Sequence, residues 1–276
     1  MANQRRKKKR QARYLSKMKT LTKDLPEAKF TITPAHTRSE HYYEVGDPYA
    51  VRLFSITGFI GWLGGPKVGA IKGWTIKMTA ERAFQYLNSE DMTQDSERAL
   101  IARGEIKRAA KQELDRTATL GNEIHRFAEL TALGQKPLMK NFDKEIHESI
   151  RAFKEWWKGA GLTPVAAELR VANPEVGFAG TLDLLASNKE GKLCLIDYKS
   201  SAAMHKETKM QLAACNNGLF HTYGIAADVL QVVRVGRDGG AVEVGTMHPD
   251  EEPLSWALFK NLVDLKKKYE ALGDWQ

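Results

Sequence analysis

Three short apolar segments near the middle of the chain constrain its fold more than any other feature. They cover Glu168–Val171, Gly177–Asp183 and Leu193–Lys199. Turn-rich clusters at Asn173–Pro174 and Asn188–Gly191 separate them. Short apolar runs bounded by Asn, Pro and Gly are typical of β-strands joined by tight connections. The sequence therefore predicts three consecutive strands, and the rest of the chain has to be arranged around them.

Each predicted strand carries one carboxylate, at Glu168, Asp183 or Asp197. Because residues two apart in a strand face the same side of a sheet, Asp197 and Lys199 project together while Tyr198 points the other way. Carboxylate oxygens suit hard divalent cations. A neighbouring lysine can orient water and offset charge on phosphoryl oxygens. This combination suits the hydrolysis of a phosphodiester.

The same pattern has a simpler interpretation. Asp197 and Lys199 can form an ion pair on the surface of an edge strand, where such pairs contribute little to stability. Against this, Leu193, Leu195 and Ile196 make the segment almost wholly apolar, as a central strand would be. A charged pair that ends such a strand needs a reason, but spacing alone leaves both interpretations open.

The order of motifs resembles the core of the PD-(D/E)XK nuclease superfamily. Gly180–Asp183 is followed by Asp197–Lys199 and then by Ser200. The resemblance is greatest to the RecB-like exonuclease branch, which includes phage exonucleases and the mitochondrial genome maintenance exonuclease. That branch carries Gly-x-x-x-His on an upstream helix, as does Gly121–His125. The similarity covers about residues 50–235 as an ordered set of motifs.

This resemblance implies an α/β fold with a PD-(D/E)XK restriction-endonuclease-like core, a mixed central β-sheet flanked by helices, and a mostly helical N-terminal half. We expect residues 1–25 to form a basic disordered tail and residues 26–276 a single nuclease domain. Within that domain, residues 26–117 are the mostly helical part, 118–250 the catalytic core and 251–276 a C-terminal helix.

The resemblance also implies a metal site. Asp183 and Asp197 are expected to ligate Mg²⁺ or Mn²⁺ together with the backbone carbonyl of Tyr198. His125 is expected at the same site, and Glu168 near a second ion. From the residues alone, a lone histidine near an apolar helix face is usually structural, and a glutamate on a strand can simply face solvent. Both simpler interpretations stay open.

Two further residues complete the expected catalytic set. Lys199 positions the attacking water, and Gln211, in a predicted helix over 203–219, is expected near DNA or the catalytic centre. The branch typically has Gln-x-x-x-Tyr, whereas this chain has Cys215 in place of the tyrosine, which leaves the role of Gln211 open. Glu129 lies four residues after His125 and shares its helix face, where it is expected to support the site or to be a surface charge.

The chain has two cysteines, Cys194 and Cys215. Neither has a CxxC partner, so neither a zinc site nor an iron–sulfur cluster is predicted. This argues against the cluster-bearing relatives of the family, which need four cysteines. We expect a reducing cytoplasmic setting, in a bacterium or a phage-infected cell. No apolar run approaches the roughly 18 residues that a membrane span needs.

The net charge of +8 is concentrated at the N-terminus. Residues 1–23 contain ten Lys or Arg and no acidic residue, and the rest of the chain has 32 basic and 34 acidic residues. The run Arg5–Arg10 is therefore expected to contact nucleic-acid phosphates. A solvated tail that aids solubility is the alternative. A mitochondrial presequence ranks last, because the run has too little apolar content for an amphipathic helix.

Periodicity and turn residues assign most of the remaining segments. We expect a short β or irregular segment over 26–50, helices over 66–88, 95–117, 118–133, 143–158 and 254–272, and strands over 229–235 and 242–246. The last helix is expected to cover the sheet and to bury five side chains, Leu258, Leu262, Leu265, Tyr269 and Leu272. Ser55–Thr57 and Trp74 match a segment expected to shape the DNA passage, although a core helix with an aromatic anchor is the better interpretation for Trp62 and Trp74.

Together these features predict a metal-dependent DNA exonuclease that acts on single- or double-stranded ends in phage or bacterial recombination, repair or degradation. A single-strand-binding or recombination protein is a possible partner. Two alternatives remain. One is a structure-specific DNA endonuclease of the same fold. The other is a nucleic-acid-binding protein without catalysis, against which the retention of Asp183, Asp197 and Lys199 argues.

Overall fold

An eight-stranded mixed sheet forms the centre of the molecule. The computed structural model describes residues 25–36, 41–46, 50–62, 75–83 and 97–272. The predicted α/β fold, a mixed sheet flanked by helices, is confirmed. Almost all of the predicted basic tail, Trp74 and parts of the helix predicted over 66–88 lie outside the described residues. None of the described helices is long and apolar enough to cross a membrane.

The strands follow the chain as β1 Ile32–His36, β2 His41–Val45, β3 Val51–Ser55, β4 Thr163–Asn173, β5 Phe178–Ser187, β6 Leu193–Lys199, β7 Val229–Arg234 and β8 Glu243–Thr246. The helices are α1 Ile56–Trp62, α2 over 75–83, α3 Glu97–Ala132, α4 His147–Ala160, α5 Glu207–Tyr223 and α6 Glu251–Ala271. Two short 3₁₀ turns, Met139–Asn141 and Lys144–Ile146, precede α4. Three strands thus accompany the helices of the N-terminal half.

The chain divides into two compact units. One comprises residues 1–62 and 123–276, and its described part holds the whole sheet. The other comprises residues 63–122 and contains α2 and the first part of α3. The two helices predicted over 95–117 and 118–133 form the single helix α3. Gly121 lies inside α3 without ending it, because a helical glycine costs only about 1 kcal/mol relative to alanine.

Strand β5 organises the sheet because its two edges are used differently. One edge pairs antiparallel with β4 along the whole strand. The other edge is shared: β3 pairs parallel with it at Phe178 and Ala179, and β6 pairs antiparallel with it from Leu184 to Ser187. Between these two partners, residues 180–183 of β5 pair with no strand of the described residues on that edge. The sheet therefore contains a gap at its centre.

An apolar core packs α1, α5 and α6 against the sheet. Phe59, Phe178 and Phe259 are fully buried and meet edge to face, with ring centroids 5.1 Å apart for Phe178 and Phe259. Ile56 lies against the backbone of Gly180, where a Cβ atom would come within 2.5 Å of it. The absence of a side chain at Gly180 therefore lets α1 approach β5 closely.

A second aromatic cluster joins α3, α4 and β6. Phe153 of α4 contacts Phe127 of α3 and Tyr198 of β6, and all three are almost completely buried. Ile150, about one turn before Phe153, is also buried, and Gly161 ends α4 in the left-handed conformation at φ 64°. This cluster fixes the part of α3 that carries His125.

The prediction for the last helix is wrong in part. In α6, Ser255, Phe259, Leu262 and Val263 are buried. Of the five residues expected to be buried, only Leu262 is; the other four are exposed, namely Leu258, Leu265, Tyr269 and Leu272. Periodicity identified an apolar stripe correctly, but α6 has two adjacent apolar stripes, and its packing against α1 and α5 selects the other one.

Candidate active site

Asp183 lies in the central gap of the sheet. Pairing of β5 with β6 ends at Leu184 and Ile196, so Asp183 and Asp197 are the next residues where the two strands diverge. The Asp183 carboxylate accepts a 2.7 Å hydrogen bond from the backbone N–H of Tyr198. A side chain thus satisfies a donor that strand pairing leaves free, and this bond holds the two acidic strand ends together.

Asp197, Lys199 and Gln211 form a closed hydrogen-bonded group. Nζ of Lys199 lies 2.7 Å from Oδ2 of Asp197, which confirms that these side chains share one side of β6. The Gln211 amide donates to Oδ1 of Asp197 at 2.6 Å. Its carbonyl accepts from Lys199 at 3.1 Å. One glutamine therefore orients both charged side chains, and it does so although the tyrosine of the motif is replaced by Cys215.

His125 reaches the same place from α3. Its Nδ1 lies 3.6 Å from Oδ2 of Asp183, and its ring meets Tyr198 edge to face at 6.3 Å between centroids. The Tyr198 side chain is buried on the α3 and α4 side, as period-two geometry predicts. Burial lowers the pKa of His125, and Lys199 lowers it further against the opposing effect of Asp197.

Glu168 approaches from β4, where the strand is irregular. A register shift occurs between Pro164 and Ala166, and Ala166 is buried in the core with Leu169 and Val171. Glu168 adopts a φ of 51°, and it is the only non-glycine residue with a positive φ in the described part of the chain. Such backbone strain in a bulky residue is uncommon and clusters at functional sites.

The acidic groups of the site raise one another's pKa. Burial raises the pKa of Glu168 to about 8, and Asp183 and Glu129 add to the effect. Burial also raises the pKa values of Asp183 and Asp197 to about 6, against the opposing effect of Lys199. The charge of Glu129 raises the pKa of both Glu168 and Asp183. An added cation would stabilise the ionised forms of these carboxyl groups.

The donor set fits a hard divalent cation. Asp197 Oδ2 is buried, and the Lys199 ammonium lies 2.7 Å from it. Asp183 and Asp197 offer the oxygen ligands that Mg²⁺ and Mn²⁺ prefer. In the described part of the chain, no three His, Cys, Asp or Glu side chains are already gathered as a complete metal cluster. A bound ion would thus need further ligands, such as backbone oxygen or water.

Sequence reasoning missed Arg234. This residue ends β7 in register with Lys199, and its side chain is only 10% exposed. It donates to the carbonyl of Ser201 at 3.2 Å and pairs with Glu243. It thereby holds the segment that follows Lys199. A charge at the end of an apolar strand was the signal that identified Lys199, and the same signal marks Arg234.

The residues expected near the DNA passage have local structural contacts. Ser55 caps α1 by accepting a hydrogen bond from the N–H of Gly58 at 3.0 Å. Trp62, at the end of α1, contacts Tyr269 of α6 at 5.4 Å between ring centroids, as an aromatic anchor would. Cys194 and Cys215 are both buried free thiols, and burial followed by the charge of Asp197 raises the pKa of Cys215.

Comparison with known proteins identifies the family. No curated protein matches the chain. A solved structure described as "Crystal structure of SSO0001" is 17% identical with a TM-score of 0.28, and the match covers 46% of this chain and 58% of that one. The chain thus spans little more than half of that structure, and so low a score carries no argument. The family model of the PD-(D/E)XK nuclease superfamily matches residues 79–272. Since this match covers most of the chain, the protein belongs to the PD-(D/E)XK nuclease superfamily.

Proposed function

We propose that this nuclease is a metal-dependent DNA exonuclease. The observation that carries the proposal is the convergence of Asp183, Asp197 and Lys199 at the gap in the sheet, with Gln211 bonded to two of them. The motif set of the exonuclease branch favours attack at DNA ends. We further propose Mg²⁺ or Mn²⁺ as the cofactor, and phage or bacterial recombination, repair or degradation in the cytoplasm as the setting.

Each residue of the site has a defined task in this proposal. Asp183 and Asp197 hold the cation, aided by the Tyr198 carbonyl, His125 and Glu168. When bound, the cation stabilises negative charge on the phosphate and lowers the pKa of water. Lys199 orients the attacking water and offers positive charge to a phosphoryl oxygen.

Gln211 has a positioning task. Its amide group is bonded to both Asp197 and Lys199, so it keeps the ammonium beside the carboxylate before substrate arrives. Preorganisation of this kind reduces the rearrangement needed in the transition state.

The test uses end-labelled linear single-stranded DNA, linear double-stranded DNA and closed circular DNA, each with Mg²⁺, with Mn²⁺ and with EDTA. Loss of linear DNA alone, dependent on metal, is expected and also reveals strand preference. Cleavage of closed circles would replace the proposal with an endonuclease. Binding of DNA without cleavage in either metal would favour a non-catalytic nucleic-acid-binding protein.

Binding and cleavage are separated by a truncation. We propose that the basic residues 1–23 contact DNA phosphates. Removal of these residues should weaken DNA binding and reduce its salt dependence, while cleavage at saturating DNA is retained. An unchanged salt dependence would contradict a role of the tail in binding without affecting the proposal for the active site.

A further inference from the structure

Strands β1 and β2 approach β4 and β5 beside the acidic site. The apolar part of this contact contains Ile32, Tyr43, Val45, Leu53, Ala172 and Ala179. Two polar contacts adjoin it. Arg170 of β4 donates a 3.0 Å hydrogen bond to the carbonyl of Ile32, and the Tyr43 hydroxyl lies 3.0 Å from the hydroxyl of Thr181 in β5. These contacts fix two polar side chains, Arg170 and Thr181, close to the gap in the sheet.

Arg170 and Thr181 are cross-strand partners in the pairing of β4 with β5. Partners of this kind project from the same face of a sheet, with their Cβ atoms about 5 Å apart. Glu168 precedes Arg170 by two residues, and Asp183 follows Thr181 by two. Because two residues of a strand span about 7 Å, the polar pair lies one such step along the strands from the acidic pair.

Both members of the polar pair keep hydrogen-bond donors for a ligand. Arg170 is exposed, and its bond to Ile32 uses one of the five N–H donors of an arginine. Tyr43 is 3% exposed, whereas Thr181 is half-buried. The phenol hydrogen of Tyr43 therefore needs an acceptor within the protein. Once Thr181 accepts that hydrogen, its own hydroxyl hydrogen is left to donate.

The charge of Arg170 reaches both neighbouring groups. Burial raises the pKa values of Glu168 and Tyr43, and the charge of Arg170 opposes both effects. The ionised carboxylates of the site repel an approaching phosphate, and a cation fixed one step away offsets this repulsion. The planar guanidinium matches phosphate oxygens, and threonine hydroxyls are also common phosphate donors. The chemistry of the pair thus suits a phosphate group.

We propose that Arg170 and Thr181 bind the DNA phosphate next to the one that is cleaved, and that Tyr43 orients Thr181. This inference rests on the proposed nuclease function and adds a substrate-binding site to it. The step of about 7 Å between the two pairs is similar to the separation of neighbouring phosphates along a DNA strand. Since phosphate contacts carry no sequence information, the site positions the strand without selecting bases.

The first experiment measures binding without cleavage. The full chain is titrated in EDTA against fluorescent single- and double-stranded oligonucleotides at several salt concentrations. Arg170→Gln should weaken binding about tenfold. It should also reduce the slope of log K against log salt by about 0.7 for single strands or 0.9 for duplexes. Arg151→Gln is the matched control, since Arg151 is 53% exposed and pairs with Glu148 on α4. A wild-type slope in Arg170→Gln would overturn the proposal.

The second experiment identifies the phosphate that is bound. Substrates carry one neutral methylphosphonate linkage on either side of the cleaved bond. At one of these positions the wild-type single-turnover rate should fall about tenfold, whereas Arg170→Gln, which has already lost the contact, should slow less than about twofold. Equal losses in the two proteins would overturn the proposal. If the wild type cleaves no DNA, the nuclease function fails, and the binding experiment still decides whether Arg170 contacts phosphate.

Further variants separate phosphate binding from a purely structural role. Arg170→Gln also loses the bond to Ile32, so its stability is checked by urea denaturation. Should it fail to fold, Thr181→Val takes its place in both experiments, with about a threefold weaker binding expected for a neutral donor. Arg170→Lys keeps the charge and should keep the wild-type salt slope. Variants that lose stability but remain as sensitive as the wild type to the neutral linkage would show that these residues only hold β1 and β2 in place.

Discussion

Strand β6 pairs with β7 over a longer stretch than with β5. With β7 it pairs over six consecutive residues, and Asp197 stands in register with Val232. With β5 it pairs only as far as Ile196, and Asp197 then faces the region of Asp183. The edge of β6 that pairs with β7, here called the paired side, places the apolar Val232 beside Asp197 and leaves no room for polar chemistry. The edge of β6 that separates from β5 after Ile196 is here called the diverging side. It leaves backbone donors and carboxylate oxygens to be satisfied by side chains, by substrate or by a cation. Catalytic groups can collect where strand pairing stops.

The largest expected effect is at the diverging side. Asp197→Asn and Lys199→Met should each reduce DNA cleavage by about 10³-fold, because each removes charge from the reacting phosphate's surroundings. The free energy of unfolding of metal-free Asp197→Asn should not fall, since the change removes a buried charge near Asp183.

Exposed Asp264→Asn and Lys260→Met serve as controls and should retain wild-type rates. Rates and urea denaturation measured on the same preparations separate the loss of chemistry from the loss of fold. Wild-type cleavage by either active-site variant would remove this site from consideration.

The paired side should not accept a carboxylate. Val232 is 6% exposed within the core cluster. Val232→Asp should reduce the free energy of unfolding by about 3 kcal/mol or more, because an unpaired charge is buried. Val232→Ala, which only leaves a cavity, should cost about 2 kcal/mol. Equal unfolding midpoints for the two variants in urea would show that the two sides of β6 do not differ as described.

The carboxyl groups of the active site, Glu168, Asp183 and Asp197, should make the free energy of unfolding depend on pH. The pKa of Glu168 is raised from 4.5 to about 8, so the folded protein keeps a proton that the unfolded chain releases between these values. The contribution of Glu168 to the free energy of unfolding in EDTA should therefore be greatest below about pH 4.5 and decline by up to about 1.4 kcal/mol per pH unit as the pH rises to 8. Asp183 and Asp197 contribute in the same direction up to about pH 6.

Glu168→Gln should reduce this decline above pH 6, where Glu168 is the main contributor. Urea titrations at several pH values, with and without Mg²⁺, measure the effect, and Mg²⁺ should restore stability at high pH if the site binds it. A wild-type stability that rises with pH in EDTA would contradict the assigned charges.

The smallest expected effect concerns Gln211, which is hydrogen-bonded to both Asp197 and Lys199. Gln211→Leu removes the amide that joins Asp197 to Lys199 and should lower kcat about tenfold to a hundredfold, as loss of a supporting group does. Gln231→Leu removes a comparable amide, which bonds Thr246 on the exposed side of β7, and should leave kcat unchanged. If both variants behave alike, Gln211 has no special positioning role.

Much of the site could be predicted because its motifs are local. Asp197 and Lys199 share a side because alternation along a strand depends only on neighbouring residues. The helix with Gln211 was predicted with its bounds shifted by four residues. The helix with His125 was predicted as a separate helix, although it is the second part of α3. The family pattern then indicated which of these elements belong together.

Other features could not be predicted because they depend on contacts between distant segments. The positive φ of Glu168 occurs inside β4, and no local sequence pattern announces it. The role of Arg234 depends on the position of Ser201 in a loop. The buried face of α6 was predicted incorrectly because both of its stripes are apolar.

The sequence by itself determined the strands, their alternation and the chemical nature of the acidic and basic groups. These properties come from backbone geometry and side-chain chemistry within a few residues. Only the tertiary structure decided that β3 and β6 share one edge of β5 and leave a gap at Asp183, because that arrangement joins segments more than a hundred residues apart. It likewise decided which stripe of α6 is buried, since burial depends on the surface that a helix meets.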